Sequence, residues 1–259
     1  MKIFFDHIAG NVSKRELVYA PATALFERGE YEYAIQNGWH IAESWGVEDF
    51  DWYNEQKSIG DQVWYQARST RIDTRKFSER SRHRKRIKRA GVRCDVSKND
   101  TDREQMWEVY QKYIESKGFV DFYESPDDLF ASLYGPRNYL KYYAGEKMIA
   151  FGMLEEVSKS VAVAPQFCWD YQNPQLGMGY INKLFQFRLM NDLGISHLYL
   201  GNSYESHSIG KSEYAGFEWW DGRKWSEDVE LYKFILSRES KIESLDELQQ
   251  LQEEYYSRI

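Results

Sequence analysis

The run TDREQMWEVYQKYIESKG places Met106, Tyr110, Tyr113 and Ile114 on one side of a helical wheel, with Trp107 beside them. Thr101 and Glu104 have capping-box spacing, and Gly118 stands where such a helix stops. The pattern then changes. NYLKYYAGEKMIAFGMLEEVSKSVAVAPQFCWDY predicts three strands, turned at Ala144–Lys147 and again around Val157–Lys159. MGYINKLFQFRLMNDLG returns to a helical period, with Ile181, Leu184, Phe185, Leu189 and Leu193 inward and Gly194 at its end. ISHLYLG reads as a short buried strand, DVELYKFILS as another, and SLDELQQLQEEYYSRI as an amphipathic helix. Upstream, ALFERGEYEYAIQNG predicts a helix ending near Gly38, with Ala24, Leu25, Tyr31, Ala34 and Ile35 inward. Residues 64–77 mix β-branched and aromatic positions and predict one or two strands. SERSRHRKRIKRAG predicts a helix, with Ser78 near its cap and Gly91 just past its end.

This order predicts an α+β chain: a mixed sheet flanked by helices, like that of Gcn5-related N-acyltransferases, behind a smaller N-terminal α/β subdomain. The expected division is 1–92 and 93–259. In that fold an acyl donor lies in a V-shaped gap between two central strands. Here those are the strand ending at Cys168, Trp169 and Asp170 and the strand ending at Leu200 and Gly201. Fold alone names no reaction.

Composition narrows the class. Hydrophobic residues make up 42% and aromatics 17%, too much for a disordered chain. The N-terminal apolar run is short and broken by Asp6 and His7, unlike a signal peptide, and no apolar stretch is long enough to span a bilayer. Two cysteines, Cys94 and Cys168, give neither a disulfide framework nor metal-ligand spacing, and the five histidines show none either. A cytoplasmic protein without a bound metal is expected. The charge is the unusual feature. Between Arg68 and Arg89, eleven lysines and arginines face two acids, a local charge of +9 in a chain of net charge −7. The remainder therefore carries −16, so a polyanion is attracted at one chosen place. On a helix Arg82, Lys85 and Arg89 share one face, and Arg84 and Lys88 an adjacent one. Arginine grips phosphate bidentately.

A second feature is NPQLGMGYINKL, which joins the third predicted strand to a helix. Gly177 and Gly179 allow backbone N–H groups to approach an anion at the helix N-terminus. Acetyl-CoA enzymes of this fold usually carry Gln or Arg three residues before the first glycine, and Pro174 stands there. A plain glycine turn fits the segment as well as a phosphate cradle does.

Four blocks in order carry a wider likeness. They are QNGWH (36–40), FSERSRHRKRIKR (77–89), CWDYQNPQLGMGYINKL (168–184) and LYLGNSYESHSIGKSEYAGFEWWDGRKW (198–225). Together they resemble the Gly-Trp-Arg block, the Phe-Ser-basic stretch, the Phe-Tyr-Asp-Pro and Ser-Leu-Gly block, and the Tyr-Leu-Gly strand with Lys-x-x-Tyr of the aminoacyl-tRNA–protein transferases. That family comprises the arginyltransferases and the related bacterial leucyltransferases. The chain departs from the family in lacking its N-terminal cysteine cluster. It also lacks the Cys before Lys-x-x-Tyr, near which His207 stands.

The resemblance implies a transferase that moves an amino acid, arginine or similar, from charged tRNA to an amine of a protein, peptide or small molecule. It implies no cofactor beyond aminoacyl-tRNA as co-substrate. The ester is already activated, so positioning, a proton acceptor and oxyanion stabilisation suffice. The candidates near the reacting amine are Asp170, Glu205 and Tyr214. Donor-binding candidates are Trp169, Gly177, Met178, Gly179, Gly201, Asn202 and Lys211, with Lys211 and Tyr214 forming the Lys-x-x-Tyr. Trp169, Trp219 and Trp220 are candidate base-stacking rings, or core. Arg75, Arg80, Arg82, Arg84, Lys85, Lys88 and Arg89 are the tRNA-binding candidates. Each has a structural alternative: a turn carboxylate for Asp170, a loop residue for Glu205, a surface lysine for Lys211 and a core tyrosine for Tyr214. A CoA-dependent N-acyltransferase and a non-catalytic tRNA-binding module remain the competing functions.

Overall fold

The computed structural model describes the chain except residues 1, 5–7, 14–15, 21, 42–61, 67, 119–122, 204–205, 240–244 and 258–259. It divides into two compact units, Met1–Ile72 with Gly201–Ile259, and Asp73–Leu200. The division falls at 72 and 200 rather than at 92, because the basic helix packs within the second unit.

The first unit begins with β1 (Lys2–Phe4), β2 (Ile8–Ser13), β3 (Glu16–Ala20), β4 (Thr23–Phe26), α1 (Tyr31–Gln36), β5 (Trp39–Ile41), β6 (Gln62–Gln66) and β7 (Ser69–Asp73), whose last residue falls in the other unit. A four-stranded antiparallel sheet has the order β1-β4-β6-β5, and β2 pairs with β3. The expected helix over 24–38 is therefore a strand followed by a short helix. Every residue of β4 is buried, and both its edges are paired.

The second unit contains α2 (Ser81–Ala90), β8 (Arg93–Ser97), α3 (Arg103–Lys117), α4 (Pro126–Phe130), β9 (Arg137–Ala144), β10 (Lys147–Glu156), β11 (Val161–Val163), β12 (Phe167–Trp169), α5 (Met178–Leu193) and β13 (His197–Asn202), whose last two residues fall in the other unit. Its sheet runs β13-β11-β10-β9-β8 and is mixed: β11 and β13 are parallel, the rest antiparallel. Alternation along the strands sends Tyr139, Phe151, Met153 and Cys168 to one face. There they pack on Met106, Val109, Tyr110 and Ile114 of α3 and Leu129 and Phe130 of α4. The opposite face carries Tyr142, which meets Phe185 and Asn182 of α5. This is the expected α+β arrangement, a mixed sheet flanked by helices.

The chain returns to the first unit with β14 (Phe217–Trp220), β15 (Trp225–Ser226), α6 (Val229–Glu239) and α7 (Leu245–Tyr256). The segment expected as a last strand, DVELYKFILS, is instead the helix α6. Its buried Tyr232, Ile235 and Leu236 recur at helical spacing. On α5 the inward set also differs from expectation. Leu193 is 40% exposed, while Asn182 and Gln186 are fully buried. Asp102, not Thr101, stands at the N-cap of α3 and accepts a hydrogen bond from buried Lys141 Nζ at 2.8 Å.

Candidate functional site

The third expected strand is broken into β11 and β12. Pro165 lies between them and has no N–H to give a ladder. The break has a geometric result. β11 pairs with β13 from Val161↔His197 to Val163↔Tyr199, and Ala164 N–H still donates to Tyr199 O at 2.8 Å. Beyond that point β12 pairs with β10 alone among the described residues. Two neighbouring strands therefore start together and separate, with β12 running toward Trp169 and Asp170.

At that open end Asp170 N–H donates to Ile149 O at 3.0 Å. The Asp170 carboxylate is buried, 3.2 Å from Lys147 Nζ, and accepts Gln172 N–H at 3.3 Å. It is thus a turn carboxylate with a half-exposed cation beside it. Trp169 is buried, its ring centroid 3.9 Å from that of Tyr171. Tyr171 has φ +52, the one non-glycine with positive φ among the described residues. That conformation costs of order 1–2 kcal/mol. The contacts of its ring with Trp169 and Tyr113 oppose that cost.

The chain then turns through a 3₁₀ segment, Pro174–Leu176, into α5. Gly177 is the N-cap, at φ +62, and no side chain caps the helix. The N–H groups of Met178 and Gly179 are first-turn donors without helical acceptors. Met178's side chain is fully buried, so only its backbone belongs to the turn. A Cβ on Gly177 would lie 2.5 Å from Arg86 Nη2. Arg86 comes from α2, and its guanidinium also lies over the Tyr180 ring at 4.7 Å. A second tie, between Glu79 and Arg188, holds the approach to α2 against α5.

Helix α2 shows why its sequence is so basic. His83 is buried and Ile87 and Ala90 are half-buried, while Arg82, Arg84, Lys85, Arg86, Lys88 and Arg89 are exposed, as is Arg80 at the N-cap. The helix ends on Gly91 at φ +63, as expected. Arg75 differs from this group. It is bound bidentately to Asp73, Nε–Oδ1 2.8 Å and Nη2–Oδ2 3.0 Å, and so fixes its own turn.

The remaining candidates belong to the other unit. Gly201 has φ +78, and a Cβ there would lie 3.3 Å from His40 Nε2. Asn202 Nδ2 donates to Tyr65 Oη at 2.8 Å, and Lys211 Nζ donates to Asn202 O at 2.7 Å. His40 stacks on Tyr65, centroids 5.7 Å apart. Burial, then the charge of Lys211, pushes the His40 pKa down to about 4, so the ring is neutral. Tyr65 had no signal as a site residue in the sequence, and His40 stood out only as the last residue of the QNGWH block. Their neighbourhood depends on β5–β6 pairing across more than twenty residues. Tyr214 is half-buried, its carbonyl accepting Phe217 N–H at 3.2 Å. Trp219 is fully buried against Tyr232 and Tyr255, and Trp220 is buried beside Trp225, so both are core. Glu205 lies outside the described residues.

No protein-family model and no curated protein matches the chain. Among solved structures it is similar to the C-terminal domain of a putative lysylphosphatidylglycerol synthetase from Agrobacterium fabrum, with 13% identity over 53% of this chain and 46% of that one, TM-score 0.44. It is also similar to L-PGS from Bacillus licheniformis, with 13% identity over 69% of this chain and 53% of that one, TM-score 0.42. The chain thus spans about half the length of each. FemX is matched at 8% identity over 78% of this chain and 80% of its own, TM-score 0.42.

Proposed function

We propose that the chain is an aminoacyl-tRNA-dependent transferase that forms an amide bond. The observation that carries this reading is one juxtaposition. A helix with six exposed cations, Arg82, Arg84, Lys85, Arg86, Lys88 and Arg89, packs on α5, and Arg86 reaches the uncapped glycine turn that follows the splayed strand. The ordered sequence blocks shared with aminoacyl-tRNA–protein transferases point the same way.

In this reading Arg80, Arg82, Arg84, Lys85, Lys88 and Arg89 hold the RNA backbone of the acceptor arm by shape and charge. The Met178 and Gly179 N–H groups and Arg86 receive an anionic group of the donor at the helix N-terminus. The amine nitrogen attacks the ester carbonyl carbon, and the bond from that carbon to the ribose oxygen breaks. Asp170 accepts the proton that leaves the amine, and the ribose oxygen takes up one proton. The products are an amide and deacylated tRNA. Positioning supplies most of the rate, because the ester needs no further activation.

The test is filter binding of charged tRNA. Arg84→Glu with Lys85→Glu is expected to lower affinity by about thirtyfold or more and to reduce the salt slope by about two. The circular dichroism spectrum should not change. Unaltered binding by the charge-reversed protein overturns the reading. Calorimetric binding of acetyl-CoA with no affinity for tRNA would favour a CoA-dependent acyltransferase instead.

A further inference from the structure

His83 is the one buried residue of α2, at 6% exposure. Its ring stacks on Phe77, centroids 5.7 Å apart at 10°, and meets the edge of Tyr180 at 6.2 Å. Phe77 in turn leans on Phe187 of α5. The ring is therefore the plug that seats the basic helix.

Both ring nitrogens face donors. Arg80 N–H points to Nδ1 at 3.2 Å, and Arg82 Nε–H points to Nε2 at 3.3 Å. A neutral imidazole accepts at one nitrogen, and an imidazolium at neither. The Nδ1 contact is the structural one. Arg80 stands at the N-cap with extended backbone, φ −92 and ψ 159, and the third helical residue reaches back to its N–H. Glu or Gln usually makes that contact from this position. Here a titratable ring makes it.

We propose that His83 is a positioning residue and an acid switch for the RNA-binding face: neutral, it caps α2 at Arg80 and so holds the helix's first turn in place, and protonated, it releases the cap and weakens RNA binding. This rests on α2 being the RNA-binding face. The charged groups around the ring are Arg80, Arg82 and Arg84, which oppose protonation, and Glu79, which favours it and is itself bound by Arg188 of α5. Tyr180, Phe77 and Phe187 present uncharged rings. Burial, then Arg82 and Arg80, holds the His83 pKa below the usual imidazole range. A depressed imidazole pKa favours the fold in its neutral form. The contribution is complete above the ordinary imidazole range and is lost as the pH falls from there toward the depressed value. Simple attraction between a polyanion and a new positive charge has the opposite sign. It would tighten binding on acidification.

The experiment measures binding of a short RNA duplex of about 12 base pairs at constant ionic strength, between about pH 7.5 and about pH 5. The wild type is expected to weaken about fivefold on acidification, the equivalent of one helix cap. His83→Gln keeps an acceptor that does not titrate and should bind with a flat profile. His83→Leu should bind weakly throughout. The amide protection factor of Arg80, whose N–H donates to His83 Nδ1, reports the cap directly without RNA and should fall on acidification in the wild type alone. Identical pH profiles for wild type and His83→Gln, or tighter wild-type binding in acid, overturn the switch. Arg84→Glu with Lys85→Glu separates the two ideas: undiminished binding by that variant removes the RNA-face reading, whatever the exchange data show of the cap.

Discussion

The two ends of β10 make opposite use of a carboxylate. At the late end Glu155 pairs with Val163 of β11, and β11 pairs in turn with β13, so the sheet is unbroken there. Glu155 is fully buried there. Its carboxylate accepts the N–H groups of Leu133, Tyr134 and Gly135 at 3.1, 2.6 and 3.3 Å and binds Arg137 Nε at 2.8 Å. At the early end β12 has left β13, and among the described residues the Asp170 carboxylate has Lys147 and one backbone N–H as partners. The unbroken end spends its carboxylate on holding a loop. The open end keeps one beside a solvent-reaching lysine, a strained tyrosine and an uncapped helix. Saturated bonding marks a structural clamp, and incomplete bonding next to strain marks a place suited to a ligand.

The comparison breaks most sharply at Glu155. Glu155→Gln leaves Arg137 charged and buried without its counter-ion, and should cost about 3–5 kcal/mol in urea unfolding. RNA affinity of the folded fraction should stay within about twofold. A stability loss below about 1 kcal/mol would show that the unbroken end is no clamp.

Asp170→Asn should behave in the reverse way. Its partner Lys147 is 52% exposed, so the lost ion pair is worth under about 1 kcal/mol. Transfer from charged tRNA should nonetheless fall about a hundredfold, as for loss of a proton acceptor. An unfolding midpoint that moves more than the rate would return Asp170 to a purely structural role.

Gly177→Ala gives the smallest change of the three. Its φ of +62 strains any L residue by roughly 1 kcal/mol, and the new Cβ lies against a flexible guanidinium rather than backbone. A stability loss of about 1 kcal/mol with a several-fold weaker donor affinity is expected from combined urea and binding titrations. Unchanged affinity would detach Arg86 from the donor.

Much of the second unit was legible because its signals are local. The helical periods of α2, α3 and α5, the turn at Gly145 and the stops at Gly91, Gly118 and Gly194 all lie within a few residues of what they govern. The glycine turn and the basic helix could therefore be read as candidates. Their contact could not, since Arg86 and Gly177 are 91 residues apart in sequence. The strand β4 and the contact of His40 with Tyr65 were hidden for the same reason: their environment is made by distant pairing. The misreading of 229–239 has another cause. A ten-residue stretch of mixed apolar and polar positions suits a strand or a helix, and burial of Tyr232, Ile235 and Leu236 decides between them. The break of the third strand was foreshadowed by Pro165, although the splay it permits needed the register of β13.

The most direct test of the central claim is consumption of the donor. The protein is incubated with a mixture of charged tRNAs, each carrying a distinct labelled amino acid, and with a mixture of peptide and small-molecule amines. The account predicts that one ester disappears faster than it hydrolyses spontaneously and that its label appears in an amide, with Asp170→Asn slowing both. If every ester decays at the spontaneous rate with wild-type protein that still binds tRNA, the chain binds RNA without transferring from it, and the account is contradicted.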